Sequence, residues 1–112
     1  MPPREAIPPG TLDMLILKTL AARPELHGFE IASSIQRQSE EVLCVEEGSL
    51  YPALQRLLLK GWVTAEWGKT QENRRARYYR IAGAGRRQLE KELSQYRRVA
   101  TAIGRIIQPA EG

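Results

Sequence analysis

At 112 residues, 42% of them apolar and 27% charged, the chain has the length of one domain and is too short for two independent cores. Its formal net charge of +4 hides an asymmetry: residues 1–67 hold six Lys/Arg and nine Asp/Glu (net −3), whereas residues 68–112 hold eleven and four (net +7). A single cysteine, Cys44, excludes an internal disulfide, and no apolar run approaches the ~20 residues of a membrane span, so a soluble cytoplasmic protein with no membrane partner is expected.

The first ten residues, MPPREAIPPG, hold four prolines and a glycine and lack the apolar stretch of a signal peptide; they read as an extended or mobile arm over residues 1–10. Thr11 is placed to cap a first helix, in which Leu12, Leu15, Ile16 and Leu20 recur at helical spacing until Pro24 closes it. A second helix is expected from about His27 to Ser39, with Phe29, Ile31, Ala32 and Ile35 as its apolar face. The acidic link from Glu40 to Glu47 is anchored by Val42, Leu43 and Val45 and has the makings of a short strand.

The third helix is the clearest. Gly48 and Ser49 offer a turn and an N-cap, and Pro52 falls in the first turn, where its missing N–H does no harm. Leu50, Leu54, Leu57 and Leu58 form a buried stripe, and Gly61 ends the helix. Two strands follow, Trp62–Trp67 and Arg77–Ile81, around the polar loop 68–76; this hairpin is the one sheet clearly expected. Last comes a long helix from about Ala84 to Ile107. Its Leu89, Leu93, Tyr96, Ala100, Ile103 and Ile107 repeat at spacings of 4, 3, 4, 3 and 4, a heptad seam suited to the helix of a second chain. The alternative is that the seam packs on the chain's own first helix.

Three helices, a basic hairpin and a long helix make a mainly α (α+β) fold laid out as a winged helix-turn-helix. Residues 11–82 would form the DNA-binding domain and residues 83–108 the dimerisation helix. In such a layout the third helix enters the major groove of double-stranded DNA, and the hairpin wing lies on the backbone or in the minor groove. The stretch from Lys69 to Arg87 holds seven basic residues against Glu72 alone, which fits a polyanion. Gln55 and Arg56 are the residues suited to base edges, since Gln pairs bidentately with adenine and Arg with guanine. Ser49, Tyr51 and Pro52 share the outer side of that helix; Ser49 can cap or reach phosphate. Lys69, Arg74, Arg75 and Arg77 on the wing, with His27 at the start of the second helix, are candidates for phosphate contact. Trp62 and Trp67, five apart, point to opposite sides of a strand, so one can be exposed and stack on a flat effector.

The ordered blocks His27-Gly28-Phe29-Glu30-Ile31, Gly48-Ser49-Leu50-Tyr51-Pro52-Ala53-Leu54-Gln55-Arg56-Leu57 through Gly61, and Arg77-Tyr78-Tyr79-Arg80-Ile81 with Gly85 and Leu89 resemble the PadR family of bacterial transcriptional regulators. The resemblance runs from about Leu12 to Tyr96. It implies a homodimer joined through C-terminal helices that represses its own or a neighbouring promoter at an inverted-repeat operator, bound to the nucleoid when on DNA. Some members release DNA when a small planar or phenolic ligand binds. Two positions depart from the family pattern. Phe29 stands where Tyr is usual, and Ala82-Gly83-Ala84-Gly85 offers no side-chain cap, so a loose start to the last helix is expected.

Two other functions compete with this one. A winged helix that has lost DNA reading would serve as a protein-interaction module, which the basic wing argues against. An enzyme would need an assembled site, yet the chain has one His, one Cys and no CxxC, HExxH or Gly-rich phosphate loop. No metal, cofactor or catalytic residue is expected.

Overall fold

Five of the eleven residues of helix α1 (Leu12–Ala22) are buried: Met14, Ile16, Leu17, Thr19 and Leu20. They spread around the helix, so α1 is the central rod on which the other elements pack. In this computed structural model, which describes residues 4–8 and 10–108, Thr11 does not cap α1 through its side chain. Its hydroxyl donates backwards to the Pro8 carbonyl at 2.7 Å, because its own backbone is already near-helical and turns the side chain away from the first-turn N–H groups. Helix α1 ends just before Arg23 and Pro24, as the proline requires.

Of the expected arm, residues 1–3 and 9 lie outside the described residues, and the described part is extended but not free. Strand β1 (Glu5–Ala6) pairs in parallel with a short strand in the acidic link, and Ile7 packs against the core. Strand β2 (Leu26–His27) precedes helix α2 (Gly28–Gln38), after which the chain turns through Glu40 and Glu41 at φ 55° and 68° into β3 (Leu43–Cys44), the partner of β1. That turn is held by Ser39, whose hydroxyl donates to the Gln36 carbonyl at 2.9 Å and accepts from the Leu43 N–H at 3.0 Å.

Helix α3 (Glu47–Leu59) begins three residues earlier than the sequence suggests, with Glu46 at the cap position. Ser49 is therefore inside the first turn rather than capping it, and its N–H already donates to the Glu46 carbonyl at 3.0 Å. Pro52 lies beyond the first turn. The N–H it lacks would have bonded the Gly48 carbonyl, and Gly48 is exposed, so water can take that role. The other end is as expected: Gly61 adopts φ 72°, its N–H donates to the Leu58 carbonyl and that of Trp62 to the Leu57 carbonyl, both at 3.0 Å. Leu50, Ala53, Leu54 and Leu57 are buried against α1, with Ile31 of α2 in the same cluster.

Strands β4 (Val63–Lys69) and β5 (Arg75–Ile81) form the hairpin, each two residues longer toward the tip than expected. Asn73, at φ 62°, shapes the turn between them. The hairpin is not the whole sheet. Strand β2 adds to β5, with Leu26 opposite Tyr79 and His27 opposite Tyr78, giving the order β2-β5-β4. Strand β3 falls in the acidic link where a short strand is expected, whereas the two residues of β2 carry no periodicity and only the tertiary fold reveals them.

Helix α4 (Gly83–Ile107) is about 37 Å long at 1.5 Å per residue, within a molecule whose longest extent is 61 Å. Its uncapped start is docked rather than loose. The Ala82 N–H donates to the Trp62 carbonyl at 2.9 Å, and Gly85 lies so close that an added Cβ would stand 2.0 Å from that same oxygen. Leu89 is buried in the core and Leu93 is partly buried against it. These first two seam positions therefore pack within the chain, because the helix leaves the domain only after its third turn. Tyr96, Ala100, Ile103 and Ile107 stay exposed, together with Val99 and Ile106, the latter 82% exposed. None of the described helices is long and apolar enough to cross a membrane.

Candidate nucleic-acid interface

The junction between α2, α3 and the wing begins with His27. It caps α2 reciprocally: His27 Nδ1 accepts from the Glu30 N–H at 3.4 Å, and Glu30 Oε1 accepts from the His27 N–H at 3.0 Å. The imidazole meets Tyr78 edge-on, with ring centres 5.5 Å apart. His27 is thus fastened from both sides and helps seat the wing on the second helix. Next to it, Gly28 lies under the ring of Tyr51, where an added Cβ would be 2.9 Å from the hydroxyl. A side chain at that position would push Tyr51, now 49% exposed, out of place.

Strand alternation sorts the wing. Cross-strand pairing sets Val63 opposite Ile81, Ala65 opposite Tyr79, Trp67 opposite Arg77 and Lys69 opposite Arg75, all on one face. Near the root this face is core: Val63 and Tyr79 are buried. Burial holds the Tyr79 phenol above its ordinary value of 10.0, with the Arg77 guanidinium pulling more weakly the other way. Toward the tip the same face leaves the core and becomes cationic. Trp67 is 60% exposed, and the guanidinium carbons of Arg75 and Arg77 lie 4.3 and 5.9 Å from the centre of its ring.

Between this face and the helices runs an open groove of about 1230 Å³. It brings together His27, Tyr51, Gln55, Trp67, Arg74, Arg75 and Arg77 from the residues singled out in the sequence. Ser49, Pro52 and Lys69 are exposed nearby but do not line it. Arg56 is elsewhere. Its Nη2 donates to Asp13 Oδ1 at 2.9 Å, on the side of α3 that faces α1 and not the wing, because adjacent helical residues point about 100° apart. Arg80 is likewise spoken for, pairing with Glu25 at 2.9 Å.

The two indoles do not share a site. Trp62 precedes β4 and packs partly buried under the Lys60 ammonium, 4.6 Å from its ring centre, whereas Trp67 lines the groove. Phe29 is not on the apolar face expected of α2: it is 74% exposed and lines the groove instead of the core. The signal was available, since Phe29 and Ile31 are two residues apart and project about 200° from each other on a helix. Tyr78 and the tip residues Gln71 and Glu72 also line the groove.

Three helices, a hairpin wing packed on the third and a long trailing helix define a winged helix-turn-helix protein. A transcriptional regulator from Clostridium thermocellum superposes with a TM-score of 0.80 at 25% identity, covering 88% of this chain and 95% of that one. A PadR family transcriptional regulator from Eggerthella lenta gives 0.75 at 27% identity over 90% and 85%. Bacillus subtilis PadR in complex with operator DNA gives 0.65 at 23% identity over 74% and 47%, a likeness of fold. Residues 16–91 match the transcriptional regulator PadR-like family, and the chain belongs to that family.

Proposed function

We propose that this regulator reads operator DNA as a homodimer, α3 entering the major groove and the wing lying along the phosphate backbone. The observation that carries the reading is the charge and shape of the groove. Gln55 and Tyr51 of α3 and Arg74, Arg75 and Arg77 of the wing face one space, while Arg56 and Arg80 are neutralised outside it. Gln55 is the base-reading residue on this account, and the wing arginines supply sequence-independent affinity. The fold is the one that holds operator DNA in the Bacillus subtilis protein.

The second protomer covers the outer half of α4, where Tyr96, Val99, Ala100, Ile103, Ile106 and Ile107 present an apolar stripe to solvent. The regulator acts in the cytoplasm as a repressor of its own or a neighbouring promoter, occupying the operator until a small aromatic effector relieves it. Of the two indoles, Trp67 offers the more open stacking surface to such a molecule.

The test is selection from a random duplex library at near-physiological salt, with the bound pool sequenced. The expected result is an inverted repeat with half-sites about one helical turn apart, roughly 10 bp. A retained pool with no enriched motif, lost as salt rises, would replace sequence reading with non-specific binding. No retention at all would overturn the DNA-binding reading.

A further inference from the structure

The groove face of the wing places cations where they repel one another. Lys69 and Arg75 are directly opposed across the strands, Arg77 follows two residues on, and Trp67 is the one uncharged side chain among them. Like charges opposed across a sheet are destabilising. Three other arginines are each held by a carboxylate: Arg56 by Asp13, Arg80 by Glu25, Arg4 by Glu41. Among the described residues neither Arg75 nor Arg77 has an acidic partner, and the buried Arg77 Nε faces no acceptor. What stands against both is the indole of Trp67, at 4.3 and 5.9 Å, with the Tyr79 phenol also beside Arg77. A carboxylate would hold a guanidinium and cancel its charge. An aromatic face holds it and leaves the charge intact.

We propose that Trp67 is a positioning residue for the wing: its indole stacks Arg75 and Arg77 into a preset, uncancelled cationic array that meets the DNA backbone without first having to be ordered. The proposal rests on the DNA-binding reading above. Trp67 acts through the arginines. Its contribution to affinity is the rotamer freedom that they have already given up in the free protein.

The test is a double-mutant cycle on the full chain. Affinity for a fluorescein-labelled duplex carrying the selected operator is read by anisotropy for wild type, Trp67→Leu, Arg75→Gln and the double variant. Trp67→Leu weakens binding about fivefold, the size of a partly exposed cation–π contact, and Trp67→Phe recovers most of it. In the Arg75→Gln background, Trp67→Leu costs less than in wild type, the remainder acting through Arg77. An equal loss in both backgrounds, or no loss in either, overturns the proposal while wild-type binding upholds the regulator reading. Wild type that binds no duplex overturns both. A second readout needs no DNA. With Trp62→Phe leaving Trp67 as the only indole, Arg75→Gln raises quenching of its fluorescence by acrylamide, and an unchanged quenching constant refutes the stack.

Discussion

At the scale of single residues, neighbours in sequence part company once the helix turns. Gln55 faces the groove and Arg56 the Asp13 carboxylate of α1, although the sequence suits both to the outer side of α3. Gln55→Ala is therefore expected to relax base preference at one operator position by about 1–3 kcal/mol. Arg56→Gln loses a half-exposed ion pair worth at most about 1 kcal/mol of stability and leaves base preference unchanged. Selection repeated with each variant checks both. Tyr79 makes a different prediction. Its phenol is held above 10.0 by burial, so the folded chain keeps a proton that the unfolded chain releases. Stability from this group is complete below pH 10 and is lost as pH rises through the folded value. Tyr79→Phe should flatten that alkaline loss, measured as urea midpoints from pH ~8 to ~11.

At the scale of elements, the joints are made by small residues and backbone. The start of α4 has no side-chain cap, yet it is fixed by the Ala82 N–H on the Trp62 carbonyl and by the close approach of Gly85 to the same oxygen. A methyl group at 2.0 Å from a backbone oxygen cannot be accommodated by a side-chain movement. Gly85→Ala is accordingly expected to destabilise the fold by more than ~2 kcal/mol, through overpacking and a shifted α4, as read by denaturant unfolding. Gly61, in a left-handed cap between α3 and the wing, sets the angle at which the cationic face of the hairpin meets α3. Strand β2 ties the capped start of α2 to the middle of β5, so His27 belongs to the joint that aligns helix and wing.

At the scale of the whole molecule, α4 divides into an inner half that completes the core and an outer half that leaves it. The two halves should respond differently to the same insult. Leu89→Asp puts a charge into the core and should unfold the chain. Ile103→Asp lies on the exposed stripe and should leave the fold intact while shifting sedimentation from dimer to monomer, with operator affinity falling because the half-sites are no longer linked. An Ile103→Asp variant that still sediments as a dimer would move the interface elsewhere.

Local grammar determined a good deal: α1 stopped by Pro24, α3 by its leucine stripe and Gly61, the hairpin by alternation around a polar loop, and α4 by its heptads. These signals arise within a few residues, from helical periodicity, backbone sterics and strand pleat, so the chain displays them without its fold. The class of protein was legible for the same reason, since it follows from the order of those elements and the basic excess after residue 68. Tertiary structure decided what depends on partners distant in sequence. Asp13 draws Arg56 away from the groove across 43 residues, Glu25 neutralises Arg80 across 55, and the core claims Leu89 from the heptad seam. Charge patterning shows how many cations a segment carries; only the positions of the carboxylates in space decide which of them are left for DNA.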